Sequence, residues 1–260
     1  FHIVGKDILR FHGVYWPAFL MAADLPLPKR LVAHGWWTVE KEKMSKSLGN
    51  VVDPNEVVSE FGLDQFRYFL LREVPFGNDG DFSRESLIAR INADLANNLG
   101  NLINRVFAMT AKNFDGKIPG YSDILESEHA LQNKIIDLVE LFKKHFSATE
   151  FSKALSVVIE IVSLINKYID TQKPWSLAKN ENTSRLSTVL RTSLESIRVV
   201  SFLIYPVMPK SSLKILESLG FQEESLSFSP EKINNFNFLS EDWVVKSLDL
   251  LFPKIDKNIS

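Results

Sequence analysis

From Pro54 almost to its end the chain repeats apolar residues at the three- and four-residue spacing of amphipathic helices, while strand-like patterns are confined to the first 53 residues. That division constrains the fold to an α/β unit followed by a helix bundle. In the first part the apolar run His2-Ile3-Val4 turns at Gly5, a helical stretch runs from Asp7 to about Ala23, and Leu31-Val32-Ala33 ends at His34-Gly35. Strand, helix, strand in that order predicts a parallel pair. Ligand chemistry is then expected at the carboxyl ends of the strands, where Gly5-Lys6-Asp7 and His34-Gly35 lie.

Beyond residue 53 no strand is expected, and breaks at Pro75-Phe76-Gly77, Asp115-Gly116, Pro174, Pro206, Pro209 and Gly220 punctuate a series of helices. One begins after Ser83, which can cap it, with Glu85 near its positive end and Ile88, Ile91, Leu95, Leu99, Leu102 and Val106 as its apolar stripe. Gly116 and Pro119 terminate it. Further helices are predicted near 127–147, 150–172, 184–205 and 208–219, with a weaker one near 241–252. Residues 54–85 are left as a connecting element.

A chain of 260 residues, 45% hydrophobic and 24% charged, can bury one large core or two modest ones. It has no cysteine, which excludes a disulfide framework and a thiolate zinc site in this stretch, and the cytoplasm is the expected compartment. No apolar run approaches the roughly 20 residues that cross a bilayer, so no membrane partner is expected. The chain starts at Phe1 on a buried-strand pattern without an initiator Met, which reads as the interior of a longer protein. Net charge is −2, spread as seven Lys/Arg against five Asp/Glu over 1–53 and four against eight over 217–260. A nucleic-acid partner must therefore be held by local placement of groups, without an overall positive field.

Three features carry chemistry. Lys43-Met44-Ser45-Lys46-Ser47 follows the predicted second strand. Two ammonium groups three residues apart with hydroxyls between and after them suit a polyphosphate, and fit equally a solvated surface turn. Ile8, Phe11, His12 and Tyr15 share one helix face, as either a core stripe or a pocket wall would. Asn97, Asn101 and Arg105 recur at four-residue intervals roughly 130° from the apolar stripe, an exposed ridge that is either plain solvated surface or a reader of unstacked base edges. Near it in function would be Ile169-Asp170-Thr171-Gln172-Lys173-Pro174-Trp175, where a helix stops and a proline-fixed corner carries an indole that either fills a core or stacks on a base.

The pentapeptide Lys43 to Ser47, with His34-Gly35 ahead of it, resembles the second signature of class I aminoacyl-tRNA synthetases, KMSKS, at every position. Leucine, isoleucine and valine enzymes carry close relatives of these words. The stretch from Gly5 to His12, Tyr15-Trp16-Pro17-Ala18 and Trp36-Trp37-Thr38-Val39 resemble the methionine enzymes in particular. The likeness is strong over 1–55, good over 60–110 and 150–176, and weak after about 205.

The resemblance implies the end of an α/β Rossmann-type nucleotide-binding domain over 1–53, a connecting element that contacts the tRNA stem over 54–85, an all-α anticodon-binding bundle over 86–220, and a tail with a packing helix over 221–260. It implies Gly5 and Asp7 beside the adenylate ribose, His34 near the adenosine, and Ile8, Phe11, His12 and Tyr15 around methionine, with an imidazole N–H of His12 facing the thioether. Lys43, Ser45 and Lys46 would act on the phosphates, Lys46 meeting the leaving pyrophosphate. Asn97, Asn101, Arg105 and Trp175 would contact the CAU anticodon. The implied partners are tRNA(Met), methionine and ATP with Mg2+ as substrate, with no metal site in this chain. The first class signature and the first half of the nucleotide fold are absent, so the isolated chain is expected to be catalytically silent. Two rival readings remain: a tRNA-docking module without catalysis, and another class I synthetase or a nucleotidyltransferase with a related lysine loop.

Overall fold

The computed structural model describes residues 1–39, 41–45, 49–222 and 233–256. β1 (His2–Gly5) and β2 (Leu31–His34) pair in parallel, His2 opposite Leu31 and Gly5 opposite His34, so both run out at the same edge. Between them the chain makes one tight 3-10 turn at Lys6–Ile8, a wide π turn at Phe11–Tyr15, and helix α1 (Trp16–Ala22). The predicted strand, helix and strand are all present.

The connecting region differs from its sequence reading, because it includes a small sheet. β3 (Trp37–Val39) lies between β4 (Glu42–Lys43), antiparallel to it, and a strand far along the chain, β5 (Gly80–Phe82), parallel to it. The expectation of no strand beyond residue 53 is thus corrected. Three residues with one glycine and one aspartate carry no apolar run, and only the distant partner β3 makes them a strand. Helices α2 (Pro54–Phe61) and α3 (Leu63–Arg72) cover this sheet. Val57, Phe61, Phe69, Phe82, Leu87, Ile88 and Ile91 form a core there, separate from the main one, with Trp37 and Val39 packed against it.

Ser83 accepts a hydrogen bond from the Ser86 N–H and opens α4 (Arg84–Arg90), which continues without a break through a π segment, Ile91–Gly100, into α5 (Asn101–Phe114). Every member of the predicted stripe from Ile88 to Val106 is buried. Asp115 and Gly116, both left-handed, end the run. The bundle is completed by α6 (Glu126–Ser147), α7 (Phe151–Gln172), the short α8 (Pro174–Lys179), α9 (Thr183–Ile204) and α10 (Pro209–Ser218).

α9 is buried on all sides from Arg185 to Ile204, although its sequence is rich in Ser, Thr and Arg. Most of its polar side chains bond within the protein, with Arg191 Nε and Thr192 Oγ1 left without a hydrogen-bond partner among the described residues. Ser193, Ser196 and Ser201 donate to carbonyls one turn back, and Glu195 accepts from Arg198 and from the Phe238 and Leu239 N–H groups. The outer cover is the segment 233–256. The weak helix expected near 241–252 is absent. There the chain is extended, because the Trp243 carbonyl and the Val245 and Lys246 N–H groups bond to Ile118, Gly116 and Ser218, leaving none for helical turns.

Candidate functional site

At the common edge of β1 and β2 the backbone brings Gly5, Asp7 and His34 to one point. A Cβ on Gly5 would lie 2.5 Å from the Asp7 carboxylate and 3.8 Å from the His34 ring, so the three residues meet closely there. Gly35 is tighter still, since its Cβ would fall 2.0 Å from the Asn78 carbonyl. The loop at 78–79 therefore lies directly against the strand end.

Trp36 ties this edge to the lysine loop. Its indole N–H donates to Asp7 at 3.3 Å, and its backbone N–H donates to Asp79 at 2.8 Å. The ammonium of Lys6 sits 4.2 Å from the ring centre and that of Lys43 at 4.7 Å. Lys6 also bonds both Asp79 oxygens at 2.6 Å, and this bond together with the Trp36 N–H holds the Asp79 carboxyl below its usual range. Ser45 donates its N–H to Asn50 at 2.8 Å, and the Asn50 amide returns to the Lys43 carbonyl. Lys46 lies outside the described residues. Trp36 and Asp79 were not singled out from sequence as site residues. The aromatic pair before the lysine loop was a usable signal for Trp36, whereas Asp79 had none.

The π turn at Phe11–Tyr15 carries an open cavity of about 410 Å³ lined by Phe11, His12 and Tyr15 together with His2, Trp16 and Phe19. Three of the four predicted methionine contacts are thus together. Ile8 is not among the lining residues; it supplies instead a carbonyl 3.1 Å from His12 Nδ1. A carbonyl only accepts, so Nδ1 is the donor in this contact.

The second site is a groove of about 580 Å³ between the long helical run and α7. Asn97, Asn101 and Arg105 line one wall, and Asn166, Lys167 and Asp170 line the other. Arg105 is not the free ridge residue that its spacing suggested. It donates to Asp170 at 2.8 Å and Asn166 at 2.9 Å, because α7 packs close enough to meet it. Asn166 in turn donates to Asn98 at 2.8 Å. The wall of the groove is thus a preformed row of amides and one guanidinium.

The groove lining ends at Thr171. Just beyond, Lys173 adopts a left-handed conformation (φ 49°), Pro174 starts α8, and Trp175 projects with 47% of its surface exposed. Trp175 is therefore not a core residue. Among the described residues no group of three or more His, Asp or Glu is placed to hold a metal ion, and no helix is long and apolar enough to cross a membrane.

A strand–helix–strand edge with a lysine loop, joined through a small sheet to a helical bundle with an amide-lined groove, has the parts of a class I tRNA synthetase. Two family models match accordingly: tRNA synthetases class I (M) over residues 1–107, and the anticodon binding domain of methionyl tRNA ligase over residues 118–259. The chain belongs to the methionyl-tRNA synthetase family. It is 49% identical to the methionine–tRNA ligase of Caldanaerobacter subterraneus subsp. tengcongensis over 98% of its length, and 46% identical to that of Bacillus subtilis. These alignments cover 40% and 38% of the two relatives, so the chain spans about two-fifths of their length. The crystal structure of Mycobacterium tuberculosis methionyl-tRNA synthetase bound by methionyl-adenylate superposes with a TM-score of 0.91 at 43% identity, over 97% of this chain and 49% of that one.

Proposed function

We propose that this chain is the lysine-loop and anticodon-reading part of a methionine–tRNA ligase, which joins methionine to ATP as methionyl-adenylate and then transfers methionyl to the terminal adenosine of tRNA(Met). In the first step a methionine carboxylate oxygen forms a bond to the α-phosphorus, and the bond to the β-phosphate oxygen breaks. Negative charge then accumulates on departing pyrophosphate. Lys43 and Lys46, steadied by Ser45, neutralise that charge where it develops, and Mg2+ enters as part of the ATP substrate.

The observation that carries this reading is the convergence of Gly5, Asp7 and His34 at one strand edge, linked by Trp36 to Lys43. In this reading Asp7 and Gly5 face the ribose and His34 the adenosine of a Rossmann-type fold whose other half lies elsewhere in the protein. Phe11, His12 and Tyr15 enclose the methionine side chain, and Ile8 orients His12. Aromatic walls suit a polarizable thioether. Residues 1–53 are the catalytic end, 54–85 the connecting element, 86–220 the anticodon bundle and 221–260 the covering tail, and the enzyme is cytoplasmic. Asn97, Asn101 and Arg105 read base edges while Trp175 stacks on a splayed base.

The test is amino-acid-dependent ATP–pyrophosphate exchange by the full-length protein. Methionine should stimulate exchange at least about a hundredfold more efficiently than leucine, isoleucine or valine. Equal stimulation by those amino acids would refute the assignment.

A further inference from the structure

We propose that the trio of half-buried Gln172 with buried Arg185 and Glu128 positions the indole of Trp175, fixing the direction in which it meets RNA. The inference rests on the anticodon reading of Trp175 above and adds to it the groups that hold the platform in place.

The trio lies where the start of α6, the end of α7 and the start of α9 meet. Glu128 is fully buried, and each of its oxygens accepts from Arg185 at 2.7 Å. Tyr168 from α7, the Leu125 N–H and the Ser127 hydroxyl complete its shell, at 2.5, 2.8 and 2.9 Å. The same guanidinium donates to Gln172 Oε1 at 2.7 Å. Gln172 is the last residue of α7, three before Trp175. On the other side, the Asn182 N–H donates to the Leu177 carbonyl of α8, while the Asn182 side chain caps α9 and accepts from the Arg185 N–H. The six-residue helix bearing Trp175 is therefore tied at both ends to groups centred on Arg185.

Such a pair is poorly explained by stability alone, since a buried ion pair stabilises little more than apolar residues of similar volume. Its advantage is direction. A guanidinium fork bonded to a carboxylate on one side and an amide on the other has one orientation, and it transmits that orientation to the corner. An exposed indole on a single turn of helix would otherwise swing, and stacking would lose the benefit of a preset geometry.

The test uses the full-length enzyme and four proteins: wild type, Gln172→Ala, Trp175→Ala and the double variant. Gln172 is half-buried and uncharged, so its loss leaves the Arg185–Glu128 pair intact and the fold secure, whereas Arg185→Ala would strand a buried carboxylate. Gln172→Ala should raise KM for tRNA about fivefold, because the indole would lose its preset direction. The kcat of charging and pyrophosphate exchange should stay at wild-type values, and the melting temperature should fall by no more than a few degrees. In the Trp175→Ala background the same change should have no further effect, since there is no indole left to position. A Gln172→Ala effect that multiplies undiminished with Trp175→Ala, or no effect on KM, would overturn the proposal. If Trp175→Ala alone leaves KM for tRNA unchanged, the underlying anticodon reading fails instead.

Discussion

Removing the Trp175 indole separates the RNA role from a structural one, because its exposure sets the scale of each. A fully buried aromatic truncated to Ala costs about 3–5 kcal/mol of stability. With 47% of Trp175 exposed, roughly half of that is at stake, which for a protein of this size is a fall of several degrees in melting temperature. Base stacking on an aromatic contributes roughly 1–3 kcal/mol, about 5- to 150-fold in charging efficiency. Trp175→Ala in the full-length enzyme should therefore lower kcat/KM for tRNA by one to two powers of ten while pyrophosphate exchange at 25 °C is unchanged. Both reactions and thermal melting should be measured on one preparation. Parallel loss of exchange and charging would refute the reasoning, since it would mean that the indole supports the whole fold.

Three further outcomes are expected. Lys46→Ala should raise the barrier to adenylate formation by about 2–4 kcal/mol with methionine affinity unchanged, as pre-steady-state exchange would show; an equal loss in ground-state ATP binding would make it an anchor only. The isolated 260-residue chain should give no methionine-dependent exchange, because it holds only part of the ATP-orienting surface, and turnover like that of a whole synthetase would contradict this. Burial alone would raise the Glu128 carboxyl, but bonds from Arg185, Tyr168 and the Leu125 N–H bring it from 4.5 down to about 2. Its contribution is thus fully present above pH 4.5 and lost as pH falls toward 2. Urea unfolding should show that loss in wild type, while Glu128→Gln, weaker at neutral pH because Arg185 is left unpaired, should lack this part of the acid slope.

What could be read from the sequence was mostly local. The strand–helix–strand start, the stripe from Ile88 to Val106, the cap at Ser83 and the stop near Gly116 depend on residues a few places apart, and all appear in the structure. Misreadings arose where distant segments decide. Gly80–Phe82 is a strand only because β3 lies beside it, and the tail near Val244 mimics helical spacing although its backbone is claimed by Gly116 and Ser218. Charges were hardest to place. Arg185 and Glu128, 57 residues apart, look like ordinary solvated side chains until three helix ends bring them together. Gly5, Asp7 and His34 were placed correctly at the strand ends, while the ring of Trp36 that links them to Lys43 needs the folded edge to be seen.

The most direct test of the account is methionine charging by the full-length protein on tRNA(Met) with its CAU anticodon and on the same tRNA with one anticodon base replaced. A changed base should lower kcat/KM by at least about a hundredfold, from lost edge contacts to Asn97, Asn101 and Arg105 and lost stacking on Trp175, with adenylate formation untouched. Equal charging of both tRNAs would contradict the account, since the preformed groove and the exposed indole would then play no part in choosing the RNA.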